Sequence, residues 1–145
     1  PFGRPDMAYY KFTKAILNGD SIDVYNNGKM KRDFTYIDDI TEGLIRVCDS
    51  APSPQINSAS SVTPPYKLYN IGNNNPIMLF DFIAAIEKSC NKKANKNLLP
   101  MQPGDVLTTF ADIDELESDI EFRPSTSISD GIDKFVKWYV NKGKI

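Results

Sequence analysis

The sequence predicts a mixed α/β fold of short strands and about five helices, on three observations. Apolar residues recur at helical spacing in five stretches, and short extended runs with turn signals separate them. The eight glycines, at 3, 19, 28, 43, 72, 104, 131 and 143, never cluster as the dinucleotide fingerprint or the P-loop requires, so neither motif exists here. With 145 residues and 41% hydrophobic content, the chain is sized for one domain around a single core.

The elements follow in order. Residues 6 to 18 place Tyr9, Phe12 and Ile16 on one face, and Asn18-Gly19 stops that first helix. Residues 21 to 26 alternate Ile22, Val24 and Asn26 against Asp23 and Tyr25. The Asn26-Asn27-Gly28 turn then leads to a second extended run, 32 to 37, as a hairpin or a pair of neighbouring strands. Asp39 and Glu42 have capping-box spacing ahead of Ile40, Leu44, Val47 and Cys48. Residues 50 to 65 hold five Ser and four Pro with little to bury, which predicts an exposed loop. The run YKLYNI, 66 to 71, reads as a strand ending at Gly72, and Leu79, Phe82, Ile83, Ile86 and Cys90 form a helical stripe. A further strand is expected at 98 to 101, a short acidic helix at 112 to 119, and a last helix capped by Ser127 and Asp130 with Ile128, Ile132, Phe135, Val136 and Tyr139 inward.

Composition narrows the function. A net charge of -2 and a pI near 5.1 lack the electrostatic footprint of a nucleic-acid binder. No apolar run approaches the roughly 18 residues of a membrane span, which reads as a soluble chain. Histidine is absent, which excludes Ser-His-Asp and Cys-His catalysis and histidine zinc sites. Cys48 and Cys90 lack the number and spacing of a disulfide framework and read as reduced core thiols in a cytoplasmic protein. The opening Pro1, with no leader pattern behind it, reads as a fragment of something longer.

Several residues invite a chemical reading, each with a plainer one beside it. Tyr10 and Lys14 have Tyr-x-x-x-Lys spacing, which this many Tyr and Lys produce by chance, and they read as helix surface. The acidic run from Asp112 to Asp119 puts Glu117 where a calcium loop needs Gly, so a solvated helix face fits better. Arg4, between Gly3 and Pro5, and Arg32, at the head of RDFTYI, are guanidinium groups on stiff backbone that can grip a phosphate or carboxylate. For Arg32 the plainer reading is a surface ion pair with Asp33 or Asp38. Tyr25 can stack on a base or simply pack. Asp105 follows Pro103-Gly104 on a tight turn, where it can meet a ligand hydroxyl or cap the turn.

Read together, GRPDMA at 3 to 8, FTKAILNGDSIDVYNNGKMKRDFTYIDDI at 12 to 40, LYNIGN at 68 to 73, MQPGDV at 101 to 106 and GIDKFVKWY at 131 to 139 resemble bacterial nucleotide-sugar epimerases of the extended short-chain dehydrogenase/reductase superfamily. GRPDMA and the QPGDV turn look most like the UDP-glucuronate 4-epimerase branch. The resemblance implies the C-terminal, substrate-binding portion of such an enzyme over residues 1 to 145, with the cofactor core missing and the part inactive alone. It implies C4 oxidation and re-reduction of a UDP-sugar through NAD, with the NAD site and catalytic Tyr-x-x-x-Lys upstream of Pro1 and a homodimeric whole enzyme. On this likeness Arg4 meets the sugar, Asp23 and Tyr25 lie at the uracil, Arg32 holds the diphosphate and Asp105 faces substrate, while Gln102 stands where some relatives carry Arg. It also implies that 66 to 71 exposes an edge that would join the cofactor domain's sheet. A UDP-sugar dehydratase or decarboxylase part, or a free-standing nucleotide-sugar binding module, would share these features.

Overall fold

The computed structural model describes residues 5–52, 55–58, 61–63 and 65–142. Among the described residues there are five helices, near the predicted stretches: α1 (Ala8–Asn18), α2 (Ile37–Asp49), α3 (Leu79–Cys90), α4 (Asp114–Ile120) and α5 (Ile128–Lys142). Six short strands lie among them: β1 (Ser21–Val24), β2 (Lys31–Arg32), β3 (Gln55–Ser58), β4 (Ser61–Thr63), β5 (Ile77–Met78) and β6 (Asn95–Leu98). The mixed α/β class and the short strands are as the sequence predicts.

Strand pairing differs from the expected hairpin. β1 pairs in parallel with β6, Ser21 opposite Asn95 and Val24 opposite Leu98, while β2 pairs antiparallel with β5. Asn26 and Asn27 are left-handed (φ 49 and 48), as is Gly28 (φ 76), so Tyr25 opens a 3₁₀ turn instead of continuing the strand. Gly28 suits that turn: its φ strains a side-chain-bearing residue, and a Cβ would stand 2.2 Å from the Phe80 ring, which would have to move. The strand expected at 98 to 101 lies earlier, at β6, and among the described residues 66 to 71 joins no ladder, where a strand was expected. In the Ser/Pro segment the backbone of β3 pairs with β4, so an antiparallel ribbon stands where a plain loop was expected.

Apolar burial falls into two clusters, not one core. The first joins Ile16 of α1, Ile22 and Val24 of β1, Phe82, Ile83 and Ile86 of α3, and Ile132 and Val136 of α5. The second gathers Ile113, Leu116, Ile120 and Phe122, with Val47, Tyr69, Ile71 and Ala111 against them. Ser127 caps α5: its Oγ accepts from the Asp130 amide at 3.1 Å and donates to the Asp130 carboxylate at 2.7 Å. Asp39, by contrast, does not cap α2. It lies inside the first turn and its carboxylate accepts the Thr126 amide at 2.9 Å, tying α2 to the segment before α5.

The inner face of α2 is narrow. A Cβ on Gly43 would lie 2.9 Å from Phe122, so the helix backbone sits directly on the second cluster. Ile37, Leu44 and Ile45 consequently turn outward, 63, 56 and 52% exposed, and Cys48 is exposed where a core thiol was expected. Cys90 is half-buried, and burial pushes its thiol pKa up. Among the described residues no helix is long and apolar enough to cross a membrane.

Thr13, on the inner side of α1, is fully buried and its hydroxyl has no hydrogen-bond partner among the described residues. Thr13→Val removes that hydroxyl at nearly constant shape and should raise stability by about 1 kcal/mol. A fall in the urea midpoint would show that the hydroxyl is satisfied after all.

Candidate functional site

β2 lies between two neighbours, and this placement builds the candidate site. On one side Lys31 and Arg32 face Met78 and Ile77 of β5, and the Leu79 amide donates to the Met30 carbonyl at 2.9 Å. On the other, residues 107–109 run parallel: the Lys31 amide donates to Leu107, Thr109 donates back to Lys31, and the Asp33 amide donates to Thr109. The segment carrying Asp105 is thus laid beside Arg32 although 73 positions separate them in sequence.

Arg32 Nη2 donates to Asp105 Oδ1 at 2.6 Å, with each side chain 27% exposed. The ion pair is therefore with Asp105, not with Asp33 or Asp38. Arg32 Nη1 donates to the Lys31 carbonyl at 2.9 Å and to Leu107 at 3.5 Å, while Nη2 also approaches Met30 Sδ at 3.7 Å. Backbone and carboxylate together fix the plane of the fork, and among the described residues Nε is left as its open donor. Asp105 is fixed in turn: its Oδ1 accepts its neighbour's amide, Val106, at 2.9 Å, and its own amide donates to Gln102 across the Gly104 turn (φ 80).

The other predicted residues stand elsewhere. Arg4 lies outside the described residues. Asp23 is exposed on β1, where its carboxylate accepts from Asn97 Nδ2 on β6 at 2.9 Å. Tyr25 is half-buried at the start of the 3₁₀ turn. That turn is held by the Asn27 amide donating to Leu99 and by Asn26 Nδ2 donating to Lys29. Among the described residues no hydrogen bond, ion pair or ring contact joins Asp23 or Tyr25 to Arg32 or Asp105. Tyr10 is half-buried and packs edge-on against the buried Tyr139 at 5.3 Å, so it is a packing residue where helix surface was expected.

Sequence reasoning offered Asp33 only as an ion-pair partner of Arg32 and missed its bonds to the backbone. Its Oδ2 accepts the amides of Asn74 at 3.0 Å and Ala111 at 3.3 Å, and its Oδ1 accepts that of Asn75 at 3.3 Å. The available signal was an aspartate inside a strand-like run, a setting from which Asp is depleted. An open cavity of about 570 Å³ lies on this side, bounded by Asp33, Thr35, Asn70, Gly72, Thr109 and Phe110. Neither Arg32 nor Asp105 lines it. Beyond it, Lys67 pairs with Asp119 and the Tyr69 hydroxyl donates to the same carboxylate at 2.6 Å, which secures the 66 to 71 segment to α4.

Short ladders backed by helices, as they surround this pair, are found again in solved structures similar to this chain. UDP-glucuronic acid 4-epimerase from Bacillus cereus, solved in complex with UDP-glucuronic acid and NAD, is similar with a TM-score of 0.75 at 30% identity, over 94% of this chain and 41% of that one. The profile of the NAD dependent epimerase/dehydratase family matches residues 1–72. Protein CapI of Staphylococcus aureus is 52% identical over 97% of this chain and 44% of its own length. A probable UDP-glucuronate 4-epimerase of Rhizobium meliloti is 44% identical over 96% of this chain and 43% of its own. The chain belongs to the NAD dependent epimerase/dehydratase family. It spans less than half the length of the relatives it matches.

Proposed function

We propose that this chain is the UDP-sugar-binding part of a nucleotide-sugar 4-epimerase acting on UDP-glucuronate or UDP-galacturonate. The observation that carries the reading is the Arg32 fork, fixed by Asp105 and two backbone carbonyls within a sequence similar throughout to UDP-glucuronate 4-epimerases. A guanidinium held in place loses little freedom on meeting a diphosphate, and its positive charge together with the open Nε–H orients the nucleotide. Arg32 takes the diphosphate, Asp105 faces a substrate hydroxyl, and Asp23 and Tyr25 stand at the base. Arg4 meets the sugar carboxylate.

In this reading NAD supplies reversible hydride removal at C4 when bound. The described residues do not fit that cofactor, because no glycine-rich turn opens any of the five helices, and its site belongs to chain beyond these residues. The outward apolar side chains of α2 and of Tyr66 and Leu68 suit a face covered by that further chain. The whole enzyme is a cytoplasmic homodimer.

Calorimetric titration of this chain with UDP and with NAD tests the reading. UDP should bind and NAD should not. Arg32→Ala should weaken UDP about ten- to a hundredfold, as expected for charged hydrogen bonds worth about 1.5 to 3 kcal/mol. Arg32→Lys, which keeps the charge and loses the fork, should fall between. Unchanged UDP affinity in a folded Arg32→Ala chain would leave the guanidinium as a structural ion pair only.

A further inference from the structure

We propose that Asp33 is a positioning residue that sets the Arg32 guanidinium by clipping the two segments flanking β2 to one carboxylate. The proposal rests on the reading of Arg32 as the diphosphate ligand. An ionised carboxylate only accepts hydrogen bonds and offers about four lone-pair sites. Asp33 presents its oxygens to three backbone amides, those of Asn74 and Asn75 before β5 and that of Ala111 beyond the parallel segment. These amides lie where the ladders around β2 end, so without Asp33 they would need other acceptors.

Packing leaves little freedom for substitutes. A Cβ on Gly72 would stand 2.4 Å from the Ala111 Cβ and 3.1 Å from Asp33 Oδ2, so the two segments approach as closely as glycine allows. The segment clipped at Ala111 is the one that supplies Leu107 and Asp105 to the Arg32 fork. Arg32 thus holds one end of 105–111 and its chain neighbour holds the other. If the Asp33 end is released, the acceptors that orient the fork lose their fixed place relative to β2.

A double-mutant cycle on UDP affinity separates this role from plain stabilisation, using Arg32→Ala, Asp33→Asn and their combination in this chain, each confirmed folded by circular dichroism. Asparagine keeps the shape but turns an NH₂ toward amide donors, and should weaken UDP binding about three- to tenfold. Because that loss runs through Arg32, the double variant should bind UDP no worse than Arg32→Ala alone, within about twofold. If Asp33→Asn does not fold, Asp33→Glu, which shifts the carboxylate by one methylene, takes its place in the cycle. Losses that multiply, or a lowered melting temperature with parental UDP affinity, would overturn the positioning role and leave the Arg32 reading standing. Parental affinity in Arg32→Ala itself would overturn both, and would be visible in that variant alone.

Discussion

Phe82→Ala should lower stability by about 4 kcal/mol, within the range for emptying a fully buried aromatic position. Phe82 is completely buried on α3, stacks on Phe34 with ring centroids 4.4 Å apart and planes 11° apart, and meets Phe12 of α1 at 6.2 Å. Phe34 follows Arg32 and Asp33 directly, so this aromatic stack anchors the segment carrying the candidate site to the first cluster. Chemical denaturation measures the loss. A cost below about 1 kcal/mol would mean that the cluster collapses into the space and does not depend on this ring.

Glu87→Gln should cost about 3 kcal/mol at neutral pH, by removing the buried carboxylate charge that Lys93 and Lys96 reach from the surface. Glu87 is only 6% exposed near the end of α3, and burial alone would raise its pKa. Lys96, the Ala94 amide and Lys93 more than reverse that and hold the carboxyl at about 2. Since the folded pKa lies below the ordinary value of 4.5, the stabilisation is complete above that value and is lost as pH falls from there toward 2. Parent and variant should therefore differ most at neutral pH and converge in acid. A stability difference that stayed constant from pH 7 to pH 2 would remove the charged cluster as its cause.

The helices were legible because their inward faces are apolar at regular spacing, as in α3 and α5. β6 was not, because Asn95, Lys96, Asn97 and Leu98 are all exposed and the strand exists through its backbone ladder with β1. A parallel partner so far along the chain leaves no local mark, which is also why residues 21 to 37 read as a hairpin. At 66 to 71 aromatic and β-favouring residues suggested a strand, but propensity describes a surface that suits pairing and supplies no partner. Asp39 matched the capping pattern while its carboxylate was committed to Thr126, a contact 87 positions away.

In the candidate site, Arg32 and Asp105 were each legible from stiff or turned backbone, but their pairing was not. The plainer alternative named Asp33 and Asp38 because they are near in sequence, whereas the parallel run of 107–109 beside β2 decides the partner. The role Asp33 does play was hidden for the complementary reason: its partners are backbone amides, which no side-chain pattern reveals.

The parallel ladder of β1 and β6 also bears on how the chain reaches this structure. Closing a loop of about 70 residues carries an entropic cost of about 4 kcal/mol before the ladder returns any stabilisation. Helices α1 and α3 can form locally, but the sheet that joins them must wait for their encounter, and Phe12, Phe82 and Ile86 are the side chains that make that encounter adhesive. A long-range pairing of this kind slows folding, and until the ladder closes the edge of β1 is open to strands of other molecules.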